Sequence, residues 1–212
     1  MPAPNLAQLQ INPSGLLAWL EDNLLMAGML QNQANPNGLI WASIVPRPPL
    51  GNLASLAVKA SGKPVDVWNL RSDGGGAHNG LRAYICNYQP QAVNSVDIGF
   101  LGDYCFTTNL NGCTYGIGPR QADGTRRVSH ANRGGNTILQ RTDIQNQNNV
   151  GATLPGVTML EPAEYRRLGG ELHATVFGIR SGYNWSFYYQ SYSYMKENQY
   201  RLNGVFPIRL VG

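Results

Sequence analysis

The chain has 212 residues, of which 42% are hydrophobic and only 13% charged, and it carries a formal net charge of +4. This apolar content excludes a disordered chain, and the low charge excludes a solvated coiled coil. The charge excess is too small to indicate nucleic acid, no apolar run is long enough to cross a membrane, and three cysteines exclude a disulfide scaffold.

The N-terminal half predicts one helix followed by strands and turns. We expect an irregular lead-in over residues 1–14 and a helix from Gly15 to Leu30, capped by Ser14, because leucines recur there at helical spacing. Asn, Pro and Gly at residues 35–38 predict a turn, and residues 73–76 predict a glycine-rich loop. Predicted strands lie at residues 39–45, 53–59, 65–70 and 81–88.

The C-terminal half predicts further strands around a polar middle segment. Residues 109–112 and 119–124 predict turns, and residues 132–153 predict a long loop or a flexible insertion. Residues 162–168 predict one or two helical turns. Predicted strands lie at residues 95–108, 113–117, 126–131, 172–180, 185–195 and 205–211. Since no repeat or linker divides the chain, we expect one domain over residues 1–212.

The predicted hairpins bring together a thiol, an imidazole and a hydroxyl. Antiparallel pairing around the loop at 119–124 places Cys113 opposite His130, about 5 Å away, and the preceding turn places Thr107 opposite Cys113. An imidazole can activate a thiol, and a hydroxyl can hold the second ring nitrogen. Backbone amides of residues 111–113 can receive an oxyanion, so the group predicts acyl transfer on an amide or ester. A free cysteine that only fills the core is the alternative reading.

The residues around Cys113 also resemble a known family. Leu110-Asn111-Gly112-Cys113 is similar to the Leu-Ser-Gly-Cys signature of the bacterial glutamine deamidase toxins, which include the cytotoxic necrotizing factors and have the chemoreceptor glutamine deamidase as a structural relative. The resemblance covers residues 95–131, with Asn111 in place of the usual Ser. The resemblance is strongest to the Burkholderia lethal factor, which has similar residues at similar distances before its cysteine. The matching residues here are Ser95, Val96, Asp97, Phe100, Tyr104 and Thr107.

This resemblance implies a fold, an activity and three site residues. The implied fold is α/β: a single-domain sandwich of mixed, largely antiparallel β-sheets with flanking helices. The implied activity is deamidation of a protein glutamine to glutamate by a cysteine hydrolase, through a thioester, without a metal or organic cofactor. The family's catalytic Cys, His and Thr fall on Cys113, His130 and Thr107.

The resemblance further implies partners and a location. We expect a host protein as substrate, with a translation-initiation RNA helicase or a small GTPase as candidates, no nucleic-acid or membrane partner, and a monomer. The implied setting is a bacterial toxin that is secreted or delivered to the host cytosol. No signal peptide is evident, because no Lys or Arg precedes the first apolar run. A cysteine protease or transglutaminase using the same pair, and a non-enzymatic interaction module, remain open alternatives.

The other candidate residues are expected to be structural. Cys86, Cys105 and His173 lie in predicted strands, and His78 lies in a glycine-rich loop without a metal-binding companion. Four arginines near the proposed pair predict either a solvated loop or a basic rim facing an acidic partner surface. They are Arg120, Arg126, Arg127 and Arg133.

Overall fold

The structure, a computed structural model, describes residues 4–28, 38–49, 55–72, 80–148, 156–167, 172–196 and 198–211. Within these ranges the helices are α1 (Leu6–Ile11), α2 (Gly15–Glu21), α3 (Thr137–Asn148) and α4 (Pro162–Tyr165). The strands are β1 (Asn23–Met26), β2 (Gly38–Pro46), β3 (Leu56–Lys59), β4 (Pro64–Ser72), β5 (Leu81–Cys86), β6 (Val93–Ile98), β7 (Tyr104–Thr107), β8 (Thr114–Arg120), β9 (Arg126–Ala131), β10 (Thr158–Leu160), β11 (Leu172–Ser181), β12 (Asn184–Lys196) and β13 (Gln199–Ile208).

The strands form two sheets that face each other. The large sheet has the order β1-β4-β2-β5-β7-β11-β12-β13-β3, and it curls round so that β3 also pairs with β4. The small sheet has the order β10-β8-β9-β6. Three pairings are parallel, β1 with β4, β5 with β7 and β13 with β3, and the other pairings are antiparallel. The expected α/β fold, with mixed, largely antiparallel sheets and flanking helices, is confirmed.

Strand β7 separates two parts of the core. Because successive side chains of a strand point to opposite faces, Tyr104 and Phe106 pack with α1 and α2 on one face of the large sheet. Cys105 lies in the cluster between the two sheets, together with Tyr115 and Val128 of the small sheet. The space between the sheets therefore holds side chains from β7, β8 and β9, the strands on which the predicted site depends.

The N-terminal predictions are partly wrong. Residues 6–11 form α1 rather than an irregular lead-in, and the Asn5 side chain accepts a hydrogen bond from Gln8 N–H at its start. Helix α2 ends at Glu21, and the next residues form β1, whose four residues are all buried. A short apolar run fits a helix or a buried strand equally well, so its periodicity could not reveal the change.

Buried amides explain why the chain turns from α2 into β1. The Asn23 side chain donates to Trp19 O (2.8 Å) and accepts from Trp68 Nε1 (3.0 Å). Gln190 of β12 donates to the carbonyls of Leu20 and Asn23 and accepts from Leu25 N–H. These contacts satisfy the backbone groups that the end of the helix leaves free.

Two predictions in the middle of the chain are also wrong. Residues 95–108 are two strands in different sheets, β6 and β7, with a break at residues 99–103. The polar stretch after β9 contains α3, which buries one stripe of side chains at Gln140, Ile144 and Asn148. Two members of this stripe are amides, so a search for apolar residues at helical spacing misses the helix.

Most other predicted elements are confirmed with small changes in their bounds. They include β2, β4, β5, β9, β11 and β12 and the helical turn α4. Strand β8 extends to Arg120 through part of the predicted loop. The turn at residues 35–37, the glycine-rich loop at 73–76 and His78 lie outside the described residues.

Gly116 of β8 provides a test of how α3 packs on the small sheet. A Cβ at this position would lie 2.2 Å from Ile144 Cγ2. We expect Gly116→Ala to lower the free energy of unfolding by about 1–3 kcal/mol through overpacking. In an Ile144→Ala background the same substitution should cost much less, since the clashing atom is gone.

Urea titrations of the single and double variants measure this coupling, with Gly28→Ala as the control. A Cβ at Gly28 would meet nothing within 4 Å. Equal losses from Gly116→Ala in the two backgrounds would contradict the described packing.

Candidate thiol–imidazole site

The two strands that carry the site are paired two residues away from the predicted register. Tyr115, rather than Cys113, lies opposite His130, and Thr114 lies opposite Ala131. Continued by one residue, this register places Cys113 opposite Asn132. A shift of two residues keeps each side chain on the same face of the sheet. Cys113 and His130 are therefore diagonal neighbours, for which Cα atoms typically lie about 7–8 Å apart.

Thr107 reaches His130 from the other sheet. The prediction that it lies opposite Cys113 is wrong, because β7 belongs to the large sheet and Thr107 pairs there with Cys86 of β5. Its hydroxyl nevertheless lies 2.8 Å from His130 Nδ1, across the space between the sheets. The structure thus joins Thr107 to His130 through an inter-sheet hydrogen bond.

The neighbours of Thr107 determine which ring nitrogen of His130 carries the proton. Thr107 Oγ1 lies 2.7 Å from the Cys86 carbonyl, which can only accept, so the hydroxyl proton is donated there. The same oxygen must then accept a proton from His130 Nδ1–H, as the Thr108 hydroxyl can at 3.3 Å. The neutral ring therefore has its lone pair on Nε2.

His130 Nε2 is buried and has no hydrogen-bond partner among the described residues. The side chain is fully buried, and its ring packs edge-on against Tyr88 with 5.8 Å between the ring centres. Burial lowers the pKa of His130 to about 3. At neutral pH the ring is uncharged, and Nε2 can accept a proton from a group brought next to it.

The turn before Cys113 is held by contacts from two helices. The Tyr165 hydroxyl accepts from Gly112 N–H (2.9 Å) and donates to the Cys113 carbonyl (3.0 Å). Gln140 of α3 donates to the Gly112 carbonyl at 3.0 Å. Gly112 has φ +81°, a conformation that favours glycine. Since its N–H is already bonded to Tyr165, Gly112 is not a free donor for an oxyanion, contrary to the sequence-based expectation.

Burial and the neighbouring groups shift the pKa of the Cys113 thiol in opposite directions. Its side chain is buried, with 4% of its surface exposed, and burial raises the pKa of the thiol. The backbone N–H of Asn111 and the charge of Arg166 lower that pKa in part. Arg166 also donates to Asn111 Oδ1 at 3.0 Å. The thiol is therefore protonated at rest and has a nearby donor and cation that favour the thiolate.

Cys113 opens into a cavity of about 320 Å³. The volume suffices for one amino-acid side chain, and none of the described lining residues is charged. Tyr88, which contacts His130, and Thr108, which lies beside Nδ1, belong to the same lining. The remaining lining residues are Ala27, Gly28, Asn109, Asn111 and Asn132.

The other cysteines and the predicted basic rim lie apart from this cavity. Cys86 and Cys105 are fully buried, and burial raises the pKa of Cys105 to about 12. Arg127 forms an ion pair with Asp97, and Arg133 with Asp143, so these two cations are neutralised locally. His173 stacks on Tyr192.

Three residues that hold the turn before Cys113 are not evident from the sequence: Tyr165, Gln140 and Arg166. No local motif shows that they contact a turn 28 to 55 residues away.

Within the described ranges, no group of three His, Cys, Asp or Glu side chains is placed to hold a metal ion. No described helix has the length and apolar character needed to traverse a bilayer.

Compared with models of protein families and with curated proteins, the chain has no match. The geometry of the site is thus the basis for assigning a function.

The buried imidazole predicts a specific dependence of stability on pH. Unfolding exposes His130, whose ordinary pKa is 6.5, whereas the folded protein binds its proton only near pH 3. The unfolded state therefore holds more protons in this window, and stability falls as pH drops below 6.5. We expect His130 to account for roughly 2–3 kcal/mol of the loss between about pH 6.5 and 4.5.

Urea unfolding at a series of pH values measures this contribution in the wild type and in His130→Gln. The variant should show a flatter profile, and His173→Gln, which keeps the buried imidazole, should retain the steep loss of stability below pH 6.5. Parallel profiles for wild type and His130→Gln would show that His130 is charged, or exposed, in the folded protein.

Proposed function

We propose that the protein is a glutamine deamidase that acts on a protein substrate, with Cys113 as nucleophile and His130 as general base. One observation carries the proposal: Thr107 holds His130 Nδ1–H and leaves a buried, unpartnered Nε2 lone pair on a ring that is the diagonal cross-strand neighbour of Cys113. A cavity of about 320 Å³ gives a glutamine side chain access to Cys113. The resemblance around Leu110-Asn111-Gly112-Cys113 adds the choice of a glutamine carboxamide.

The reaction begins with the neutral thiol and the neutral imidazole. His130 Nε2 accepts the Cys113 proton as the sulfur attacks the carboxamide carbon, and the carbonyl oxygen takes the negative charge. Collapse of this intermediate breaks the C–N bond, while Nε2–H protonates the departing ammonia. The two side chains make no hydrogen bond at rest and must turn toward each other, a movement common when substrate enters such sites.

Hydrolysis of the thioester completes the cycle. Water adds to the acyl carbon as His130 Nε2 takes one of its protons, and the S–C bond then breaks with return of that proton to Cys113. The product carries glutamate in place of glutamine, which adds a negative charge to the substrate surface. Thr107 contributes by keeping Nδ1 protonated throughout.

The setting in which this reaction takes place follows from the same proposal. The substrate is a host protein, with a translation-initiation RNA helicase or a small GTPase as candidates, and the enzyme is a bacterial protein delivered to the host cytosol. It acts as a monomer and requires no metal or organic cofactor. The absence of charged lining residues in the described cavity suits an uncharged carboxamide.

Peptide mass spectrometry of a eukaryotic cell extract incubated with the protein tests this proposal. We expect wild type to convert at least one glutamine to glutamate, a gain of about one dalton, and Cys113→Ser to leave it unchanged. Only glutamines are scored, since asparagine deamidates without an enzyme. Cys105→Ser, which alters another buried thiol outside the cavity, should retain activity.

Other products of the same experiment would contradict deamidation. Cleaved peptides would indicate a protease, and glutamine joined to an amine would indicate a transglutaminase. Equal deamidation by wild type and Cys113→Ser would remove Cys113 from the mechanism, and no modified peptide would favour the non-enzymatic interaction module.

Thr107 provides a test of how His130 is held. Thr107→Val keeps the shape of the side chain but loses the oxygen that accepts from Nδ1–H, so the ring can exchange tautomers and rotate. We expect acylation of Cys113 by p-nitrophenyl acetate to slow by about 10–100-fold. Thr107→Ser retains the hydroxyl and should remain within a few-fold of wild type, whereas equal rates for Val and Ser would exclude a role for the hydroxyl.

A further inference from the structure

Three asparagines line the cavity beside Cys113, and each has its carbonyl oxygen bound to a donor. Asn109 Oδ1 accepts from Ala27 N–H (3.0 Å), and Asn132 Oδ1 accepts from Gly134 N–H (3.0 Å). Asn111 Oδ1 accepts from the Arg166 guanidinium (3.0 Å). A backbone N–H or a guanidinium can only donate, so the atom facing it must be oxygen, and the amide orientation is fixed in all three cases.

The opposite side of each amide is therefore an NH₂ group. Within the described part of the chain, none of these three Nδ2 atoms makes a hydrogen bond with the protein. All three asparagines line the cavity, and none of its lining residues in the described ranges is a carboxylate. A ligand that enters it is expected to offer oxygen acceptors, as a carboxamide does through its carbonyl.

Asn109 is held more rigidly than the other two. Its backbone N–H donates to Ala27 O at 2.9 Å, and its side chain accepts from Ala27 N–H. Two hydrogen bonds therefore join Asn109 to the same residue. The Thr175 hydroxyl lies 2.9 Å from Oδ1 as a further contact. A donor fixed in this way costs little reorganisation during a reaction, which is the property that an oxyanion site requires.

We infer that Asn109 Nδ2 is the donor that receives the oxyanion formed when Cys113 attacks a carbonyl carbon. This inference rests on the proposed function, and it fills the position left open because Gly112 N–H is bonded to Tyr165. As the S–C bond forms, the carbonyl electron pair moves onto oxygen, and Nδ2–H donates a hydrogen bond to that oxygen. Asn109 is thereby a catalytic residue that touches the reacting group.

Two thiol reagents separate this role from general effects on the thiol. p-Nitrophenyl acetate acylates Cys113 through a tetrahedral oxyanion and releases p-nitrophenolate. Iodoacetamide alkylates the same sulfur by displacing iodide, and no charge develops on its carbonyl oxygen. The ratio of the two rate constants reports stabilisation of the oxyanion, while changes in thiol pKa or access affect both rates together.

Asn109→Asp is the variant of choice, and Asn132→Asp is its matched control. Both keep an oxygen for the backbone N–H, both replace NH₂ by oxygen, and both add one negative charge at the cavity wall. We expect Asn109→Asp to lower the acylation-to-alkylation ratio by about 10²-fold or more. Asn132→Asp should leave the ratio within about three-fold of wild type, because the Asn132 amide is held only by Gly134 N–H and is not preorganised as a donor.

A measurement on the wild type covers the case in which Asn109→Asp does not fold. Butyraldehyde adds to a reactive Cys113 as a hemithioacetal whose oxygen occupies the oxyanion position. We expect the ¹H resonances of the Asn109 side-chain NH₂ to move downfield in a ¹H–¹⁵N spectrum, while those of Asn132 stay in place. Unchanged Asn109 resonances in the adduct would overturn the inference.

The outcomes distinguish this inference from the proposed function. Acylation that persists in Cys113→Ser would overturn both, since the nucleophile would lie elsewhere. Acylation that requires Cys113 but has an unchanged ratio in Asn109→Asp would overturn the role of Asn109 alone. An equal fall in the ratio for Asn109→Asp and Asn132→Asp would also overturn it, by showing an effect of cavity charge.

Discussion

The hydrogen bond between His130 and Thr107 joins the two sheets of the protein, and the site depends on it. Both side chains are fully buried, so water does not compete for the bond, and its loss would leave a polar ring unsatisfied inside the core. Thr107 itself is fixed by its bond to the Cys86 carbonyl of the neighbouring strand. The sheet packing thus sets both the position and the protonation of the imidazole.

The sequence predicts β-structure around Thr107, Cys113 and His130 but does not determine how those segments pair. Strand patterns predict β9 and a strand containing Thr107, and the resemblance around Cys113 is what assigns roles to His130 and Thr107. Pairing register depends on β-bulges, such as the irregularity between Ile117 and Arg120, which have no clear local signal. Helix α3 was missed because buried amides complete its stripe, and the contacts of Tyr165 span more than 50 residues.

Buried amides explain how a chain with so little charge holds its elements together. Gln190 joins α2 to β1, Gln140 holds the turn before Cys113, and Asn148 of α3 bonds Ser129. An amide both donates and accepts, and burying it costs far less than burying an ion. The site follows the same chemistry, with a neutral thiol, a neutral imidazole and a cavity lined by asparagine.

The closure of the large sheet constrains the order in which the chain can fold. Strand β7, which carries Thr107, pairs on one side with β11, and Leu110 forms an isolated bridge with Ala174. β12 and β13 then connect β11 to β3, far back along the chain. Such long-range pairings form slowly, because loop closure costs entropy before contacts repay it. The turn before Cys113 is therefore complete only after β11 has docked, and a chain held unfolded before that stage presents Cys113 without its final surroundings.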